Sequence, residues 1–360
     1  MKIGLITYHR SHNYGAMLQA AALTKVLFDL KHDVRIIDYW PLHQSKIYVL
    51  FDIEEFKNDS FKAKLYYLWI FLRSFIPKII RRIRFNSFYR DHICPFCEKG
   101  NDTYDVIVYG SDQIWRKQAC NEGYNPIYFG LNNYKKRLNI SYAASAGKLP
   151  DNIQDEKTFL EYVKNIDNIS VRECDLKLFL ENHGFKNVFQ TLDPTFLLTQ
   201  KEWNKISIHQ NRLIKEPYLL LYDLQCNCFC MDEIIKTANT MGLRIVQLVG
   251  TANCFSHKYY RTTDGPYEFL NLVKYADFVF TSSYHGLAFS IIFNRPFYVS
   301  LKNNRSRVDS LLRDLSLSDR LINVNGSIPS SHYINWDSVN KQLNTMRNNS
   351  LSYINNCINK

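Results

Sequence analysis

Four places in the sequence put polar side chains where an apolar run gives way to helical spacing. His9, His12 and Asn13 lead into Tyr14-Gly15-Ala16, and Gly110-Ser111-Asp112-Gln113 is followed by Trp115. Ser170-Val171-Arg172-Glu173 forms a third cluster and Thr281-Ser282-Ser283-Tyr284-His285-Gly286 a fourth. A turn from strand to helix offers unpaired backbone N–H groups at the positive end of the helix, and a small residue lets an anion approach them. A Ser or Asp in such a turn is also an ordinary helix cap. One cluster therefore says little, whereas four at the same kind of position point to a small anionic ligand. An imidazole such as His285 suits phosphate binding or proton donation, and a carboxylate such as Asp112 suits a base or a hydroxyl-orienting group. His9 and His12 read equally well as solvent-exposed loop histidines. Asp193-Pro194 reads as a turn.

The elements around these clusters alternate. Apolar runs at 2–8, 34–39, 104–109, 138–144, 167–170 and 188–192 predict strands, and helical spacing at 15–30 and 171–182 predicts helices between them. A polar, poorly patterned stretch at 199–216 predicts the connection to a second series. There, strands are predicted at 218–222, 243–249, 278–281 and 297–300, with helices at 231–240, 267–274, 284–293 and 307–315. The stretch from Asn335 predicts a polar helix. This is α/β architecture: two α/β domains facing a central cleft, at 1–200 and 215–330, with a helical tail at 331–360. Ligands of such sheets bind beyond the carboxyl ends of the strands, where all four clusters fall.

Composition narrows the partners. With 45 Lys plus Arg against 34 Asp plus Glu, the formal charge is +11, which suits nucleic acid, an anionic membrane surface or anionic small substrates. No nucleic-acid signature accompanies the charge, so nucleic acid is set aside. A strand predicted from residue 2 leaves no signal peptide, which predicts a cytoplasmic protein with reduced thiols. Cys94 and Cys97 form a CPFC element, and Cys226, Cys228 and Cys230 would share one face of a strand. No second CxxC pair completes a zinc set, so neither metal nor cofactor is expected. Residues 65–80 are rich in Leu, Tyr, Trp, Ile and Phe and run into Arg81, Arg82 and Arg84. The uninterrupted apolar part is shorter than the ~20 residues that span a bilayer. It reads as a core-facing amphipathic helix with solvated arginines, or as an interfacial helix on the inner membrane leaflet.

The chain resembles the polysaccharide pyruvyl transferase family. The matching stretches, in family order, are Asn13-Tyr14-Gly15-Ala16-x-Leu18-Gln19, Tyr104-Asp105-x-Ile107-Val108-x-Gly110-Ser111-Asp112-Gln113-x-Trp115 and Ser141-Tyr142-Ala143-Ala144-Ser145-x-Gly147. They continue with Ser170-Val171-Arg172-Glu173, Leu192-Asp193-Pro194-Thr195, Gly265-Pro266-x-Glu268-Phe269, His285-Gly286-x-Ala288-Phe289-Ser290 and Ser306-Arg307-x-x-x-Leu311-Leu312. Residues 45–95 hold no matching motif. The resemblance implies a fold of two Rossmann-like domains facing a central cleft, similar to GT-B glycosyltransferases, with phosphoenolpyruvate as donor substrate and a sugar acceptor that is lipid-linked or free. By motif position it implies a donor site at His285 and Arg172, with Ser282, Ser283 and Gly286 around it, and an acceptor site at His12, Asn13, Tyr14, Gly15, Ser111, Asp112, Gln113 and Trp115.

The sequence departs from the family pattern in one place. Relatives often carry Asp-Ser-Phe-His or Arg-Leu-His, whereas here Ser282-Ser283-Tyr284 precedes His285. Lys302, Arg305 and Arg307 are the candidates for the missing cation. Two other functions fit the same architecture: a nucleotide-sugar glycosyltransferase and a non-catalytic glycan-binding relative. Retaining glycosyltransferases of this shape often carry two carboxylates eight positions apart, but Glu268 and Asp277 are nine apart.

Overall fold

The structure, a computed structural model, describes residues 1–41, 61–98, 103–118, 123–209, 211–225, 227–252, 254–256, 258–303, 305–329 and 332–359, without the side chains of 61, 63 and 65–67. Its strands are β1 (Lys2–Ile6), β2 (Asp33–Ile37), β3 (Cys97–Glu98), β4 (Thr103–Tyr109), β5 (Lys135–Ser141), β6 (Ser170–Val171) and β7 (Phe189–Gln190). In the second half they are β8 (Tyr218–Tyr222), β9 (Arg244–Leu248), β10 (Tyr260–Arg261), β11 (Phe278–Thr281) and β12 (Phe297–Val299). The helices are α1 (Tyr14–Asp29), α2 (Phe61–His92), α3 (Ile153–Val163), α4 (Cys174–Asn182), α5 (Gln200–Ile206) and α6 (Met231–Thr240). They continue as α7 (Pro266–Lys274), α8 (Tyr284–Ile292), α9 (Ser306–Asp314) and α10 (Trp336–Ile358).

Two parallel five-stranded sheets share one topology, β3-β2-β1-β4-β5 and β10-β9-β8-β11-β12. Each is a Rossmann-like sheet in which the first strand of its half lies at the centre. Central parallel strands are covered on both faces and so need continuous apolar sequence. The β8 sequence Tyr-Leu-Leu-Leu-Tyr is buried throughout, and only Lys2 of β1 is partly exposed. β6 and β7 pair with each other and reach the edge of the first sheet through the bridges Ile140–Asn168 and Ala144–Val171.

Two helices tie the halves together. Arg81 of α2 donates to the Tyr14 hydroxyl at 2.9 Å and to the Thr262 carbonyl at 3.1 Å, while Arg84 pairs with Asp264 at 2.9 Å. Tyr14 in turn stacks between Phe85 and Phe269, at centroid distances of 5.2 and 4.7 Å, and its hydroxyl donates to the Asp264 carbonyl. From the other end of the chain, α10 returns to the first half. There Ser350 Oγ accepts from Leu192 N and the Tyr353 hydroxyl donates to the Ser141 carbonyl, both at 3.0 Å. One of the apolar cores among the described residues accordingly runs from Ile3 and Leu5 through Tyr14 and Phe85 to Phe269, Phe289 and Tyr353.

Several expectations are corrected. The stretch 199–216 is not plain linker. It holds α5, with a complete Thr199/Glu202 capping box and the fully buried Trp203. Arg81 and Arg84 are not solvated arginines, because both are held by groups of the second half. Cys228 and Cys230 lie in the loop that leads into α6 rather than on a strand, and Cys226 lies outside the described residues. So do residues 45–60 of the segment without a matching motif. No helix among the described residues is long and apolar enough to cross a membrane. No group of three His, Cys, Asp or Glu side chains among them is placed to hold a metal ion.

Candidate active site

Three of the predicted clusters converge, those of Ser111, Arg172 and His285, while His12 of the fourth lines a separate cavity. Asp193 follows β7 and is fully buried; its Oδ1 caps the next turn by accepting from Thr195 N at 2.9 Å. Its Oδ2 faces Arg172 Nη2 at 2.9 Å and His285 Nε2 at 3.6 Å. Arg172 follows β6, and the same Nη2 donates to Ser111 Oγ, which follows β4. His285 arrives from the second half in the first turn of α8, whose N-cap is Ser283. The ring sits against the first turn of α1: a Cβ on Gly15 would lie 1.9 Å from His285 Nδ1. The residue type at 15 thus decides whether the two helix N-termini can meet.

Around this trio lie further charged groups whose hydrogen-bonding capacity the chain does not fill. Tyr284 carries the Arg172 guanidinium over its ring at 5.0 Å and that of Arg307, from the first turn of α9, at 5.3 Å. Arg307 Nε is 4.0 Å from Glu173 Oε1, and Ser145 Oγ donates to that same oxygen. Burial works against the charge of Arg172, but the Asp193 carboxylate outweighs it and raises the guanidinium's pKa. Burial likewise opposes ionised Asp193, yet Arg172 and then His285 hold it well below the usual carboxylate range. For Arg307, burial and then repulsion from Arg172 push the pKa down. Burial pushes Glu173 up, against the pull of Arg172 and Arg307. Arg172 Nε and Nη1, Arg307 Nε, His285 Nε2 and Glu173 Oε2 are buried without a hydrogen-bond partner. Burying such groups unpaired costs about 1–3 kcal/mol each, more where they are charged. A ligand that brings acceptors to these donors recovers that cost. Arg172, Tyr284 and Arg307 also line a cavity of about 340 Å³ with Gln190, Thr191 and residues of α9 and α10.

A second cavity, about 230 Å³, opens at the carboxyl ends of β1 and β2 between Arg10, His12, Met17, Trp40, Arg82, Asn86 and Tyr89. His9 is buried here, its Nε2 3.0 Å from Asp38 Oδ1, and Arg10 takes the other carboxylate oxygen. The exposed reading of these loop histidines is therefore overturned. His12 is driven down to about 4 by burial and by the charges of Arg82 and Arg81, which keeps it neutral near pH 7.

Some predicted contacts are placed elsewhere. Trp115 is fully buried, its indole N–H on the Tyr128 carbonyl and its ring stacked on Phe129, so it is core rather than acceptor surface. Tyr14 is likewise buried in the junction of the halves. Ser111 is fully buried beneath Arg172, with its hydroxyl also donating to the Ala143 carbonyl. Asn13 is exposed and its side chain caps α1 by accepting from Ala16 N at 3.2 Å. Asp112 is partly exposed in left-handed backbone (φ 73°), and the neighbouring Gln113 packs against Gly147. Ser282 donates to Asp223 at 2.6 Å, and Gly286 is packed against Thr281 Oγ1, where a Cβ would come within 2.2 Å. Of the three candidate cations after β12, Lys302 and Arg305 are exposed, and Arg307 joins the buried cluster. Sequence reading left Glu173 and Tyr284 without a role and took Asp193 for a turn. The Leu192-Asp193-Pro194-Thr195 motif was the available signal for Asp193.

The sequence profile described as polysaccharide pyruvyl transferase matches residues 13–303. No curated protein matches the chain. Among solved structures, the chain is similar to a putative UDP-N-acetylglucosamine 2-epimerase from Listeria monocytogenes, at 10% identity and a TM-score of 0.49, over 98% of this chain and 90% of that one. It is also similar to the UDP-GlcNAc 2-epimerase of Methanocaldococcus jannaschii, at 14% identity and a TM-score of 0.47, over 97% and 93% of the two chains. A third likeness is to the glycosyltransferase SnogD from Streptomyces nogalater, at 9% identity and a TM-score of 0.42, over 98% and 95%.

Proposed function

Because the chain belongs to the polysaccharide pyruvyl transferase family, we propose that it moves the pyruvyl group of phosphoenolpyruvate onto two hydroxyls of one sugar, closing a cyclic ketal. The observation that carries this reading is the pair of guanidiniums over the ring of Tyr284, that of buried Arg172 and that of largely buried Arg307. Phosphoenolpyruvate brings a carboxylate and a phosphate, and two forked guanidiniums suit two such groups. Asp193 holds Arg172 in place and stands 3.6 Å from Nε2 of His285, whose ring is our candidate to grip the phosphate.

The chemistry needs a proton at the methylene carbon, a hydroxyl at C2 and then departure of phosphate as the second hydroxyl closes the ring. Asp112, partly exposed beside this cluster, is our candidate base for the acceptor hydroxyl. Acceptor sugar is assigned to the cavity of Arg10, His12, Trp40 and Tyr89, whose aromatic faces and hydrogen-bond donors suit a polyhydroxylated ring. We also place the enzyme at the inner membrane face, where a lipid-linked acceptor would lie. Leu72, Ile76 and Ile83 on α2 are exposed, by 67, 53 and 62%, in support of a peripheral contact.

The test is incubation with phosphoenolpyruvate or with nucleotide sugars, each with glycan acceptors. Phosphate release that depends on acceptor supports the proposal. Nucleotide release supports a glycosyltransferase, and release of neither supports a binding protein.

A further inference from the structure

Ionised Asp193 cannot give the methylene carbon its proton, a guanidinium is too weak an acid, and His285 is assigned above to the phosphate. We infer that Glu173 is the general acid of the reaction, delivering its proton to the methylene carbon of phosphoenolpyruvate; this rests on the donor assignment above. Glu173 is only 3% exposed and is adjacent in sequence to Arg172. One of its oxygens, Oε1, accepts from Ser145 Oγ and faces Arg307 Nε at 4.0 Å. The other, Oε2, is buried and has no partner, so it is the oxygen that can hold a proton for transfer. The groups that act on the carboxyl are Arg172 beside it, Arg307 from α9, Ser145 from the loop after β5 and Asp175 in the first turn of α4. Burial dominates over the two guanidiniums and favours the protonated acid. After transfer the same guanidiniums stabilise the carboxylate that remains.

The step balances without any further reagent. The O–H bond of Glu173 breaks, and the C2=C3 electron pair of the enol forms the new methyl C–H bond. C2 becomes cationic and takes the oxygen of an acceptor hydroxyl, whose proton goes to Asp112 or solvent. The C2–O bond to phosphate then breaks, phosphate leaves with the electron pair and takes up the proton released by the first hydroxyl, and the second hydroxyl takes its place. Its released proton restores Glu173.

The variant Glu173→Gln keeps the shape of the protonated acid and removes only the transferable proton. Expected is a fall in kcat of about 100-fold or more, with affinity for phosphoenolpyruvate, measured by calorimetry, within threefold of wild type. Wild-type kcat falls as pH rises through the raised Glu173 pKa, and that alkaline limb is absent from the residual activity of the variant. Turnover within tenfold of wild type overturns the assignment. So does loss of phosphoenolpyruvate affinity in step with turnover, which would make Glu173 a positioning residue for Arg307. If Glu173→Gln does not fold, Glu173→Asp supplies the test: it withdraws the acid by one methylene, and wild-type kcat there overturns the assignment equally. A wild-type protein that releases no phosphate with any acceptor defeats the donor reading and this inference together, whereas active wild type with active Glu173→Gln defeats this inference alone.

Discussion

Gly15→Ala adds one methyl group at the point where the two halves meet, and its consequence follows from the geometry. The new Cβ would lie 1.9 Å from His285 Nδ1 and 2.3 Å from Cε1. Ordinary contact begins at about 3.4 Å, so the ring must retreat by about 1.5 Å, the difference between 3.4 and 1.9. Retreat breaks the present 3.6 Å approach of Nε2 to Asp193. Alanine favours helix over glycine by about 1 kcal/mol, while overpacking costs about 1–3 kcal/mol. Stability should therefore fall by no more than about 2 kcal/mol, as the difference of the two. Misplacement of a reacting group by about 1 Å costs on the order of 100-fold in rate. Expected is thus a folded protein with phosphate release reduced about 100-fold. The double variant supplies the control. Once His285→Ala has removed the ring, Gly15→Ala should cost nothing further, a strong departure from additivity. Full turnover in Gly15→Ala, or additive losses in the double variant, would refute the placement of His285.

Arg172→Lys keeps the charge opposite Asp193 but loses the fork. It should weaken phosphoenolpyruvate binding tenfold or more in a calorimetric titration, with acceptor affinity unchanged; unaltered donor affinity would make Arg172 structural. Asp193→Asn leaves buried Arg172 without its counter-charge, at a cost of about 3–5 kcal/mol at pH 7. The folded pKa of Asp193 is depressed, so its contribution is present above the unfolded value of about 3.9 and is lost as pH falls below it. The stability gap between wild type and variant in urea titrations should accordingly shrink from pH 7 to pH 3, and a constant gap would contradict the ion pair. Chelators should leave turnover unchanged; loss restored by one divalent ion would show a metal requirement. Wild type should sediment weakly with phosphatidylglycerol vesicles at low salt and not at high salt, and Leu72→Ser with Ile76→Ser should abolish it. No sedimentation at low salt would remove the membrane contact.

The repeating α/β architecture was legible because each central strand is a continuous apolar run, as in the all-buried Tyr218–Tyr222. The missed elements carry no such signal. β3 and β10 are two-residue edge strands. α3 begins at Ile153, which is 88% exposed. Within the site, clustered motifs marked His285 and Arg172 because their turns have a local pattern. The roles of Asp193, Glu173 and Arg307 are set by which oppositely charged groups the folded chain buries together. Arg172 and Asp193 are 21 positions apart and Arg172 and Arg307 are 135 apart, so no local spacing records the pairing. The same holds for Trp115, whose motif position suggests a ligand but whose ring is enclosed by Phe129 and Phe159.

The central claim is transfer of a pyruvyl group, and the product itself tests it most directly. The purified chain is incubated with phosphoenolpyruvate labelled with ¹³C at the methylene carbon and with glycan acceptors, in parallel with His285→Ala. The labelled carbon is then followed by NMR. The account predicts that the olefinic signal is replaced by a methyl signal of a pyruvate ketal covalently attached to sugar, with one phosphate released per ketal and little of either from His285→Ala. A label that stays in phosphoenolpyruvate, or that emerges only as free pyruvate while a nucleotide sugar is consumed by the same preparation, would contradict it.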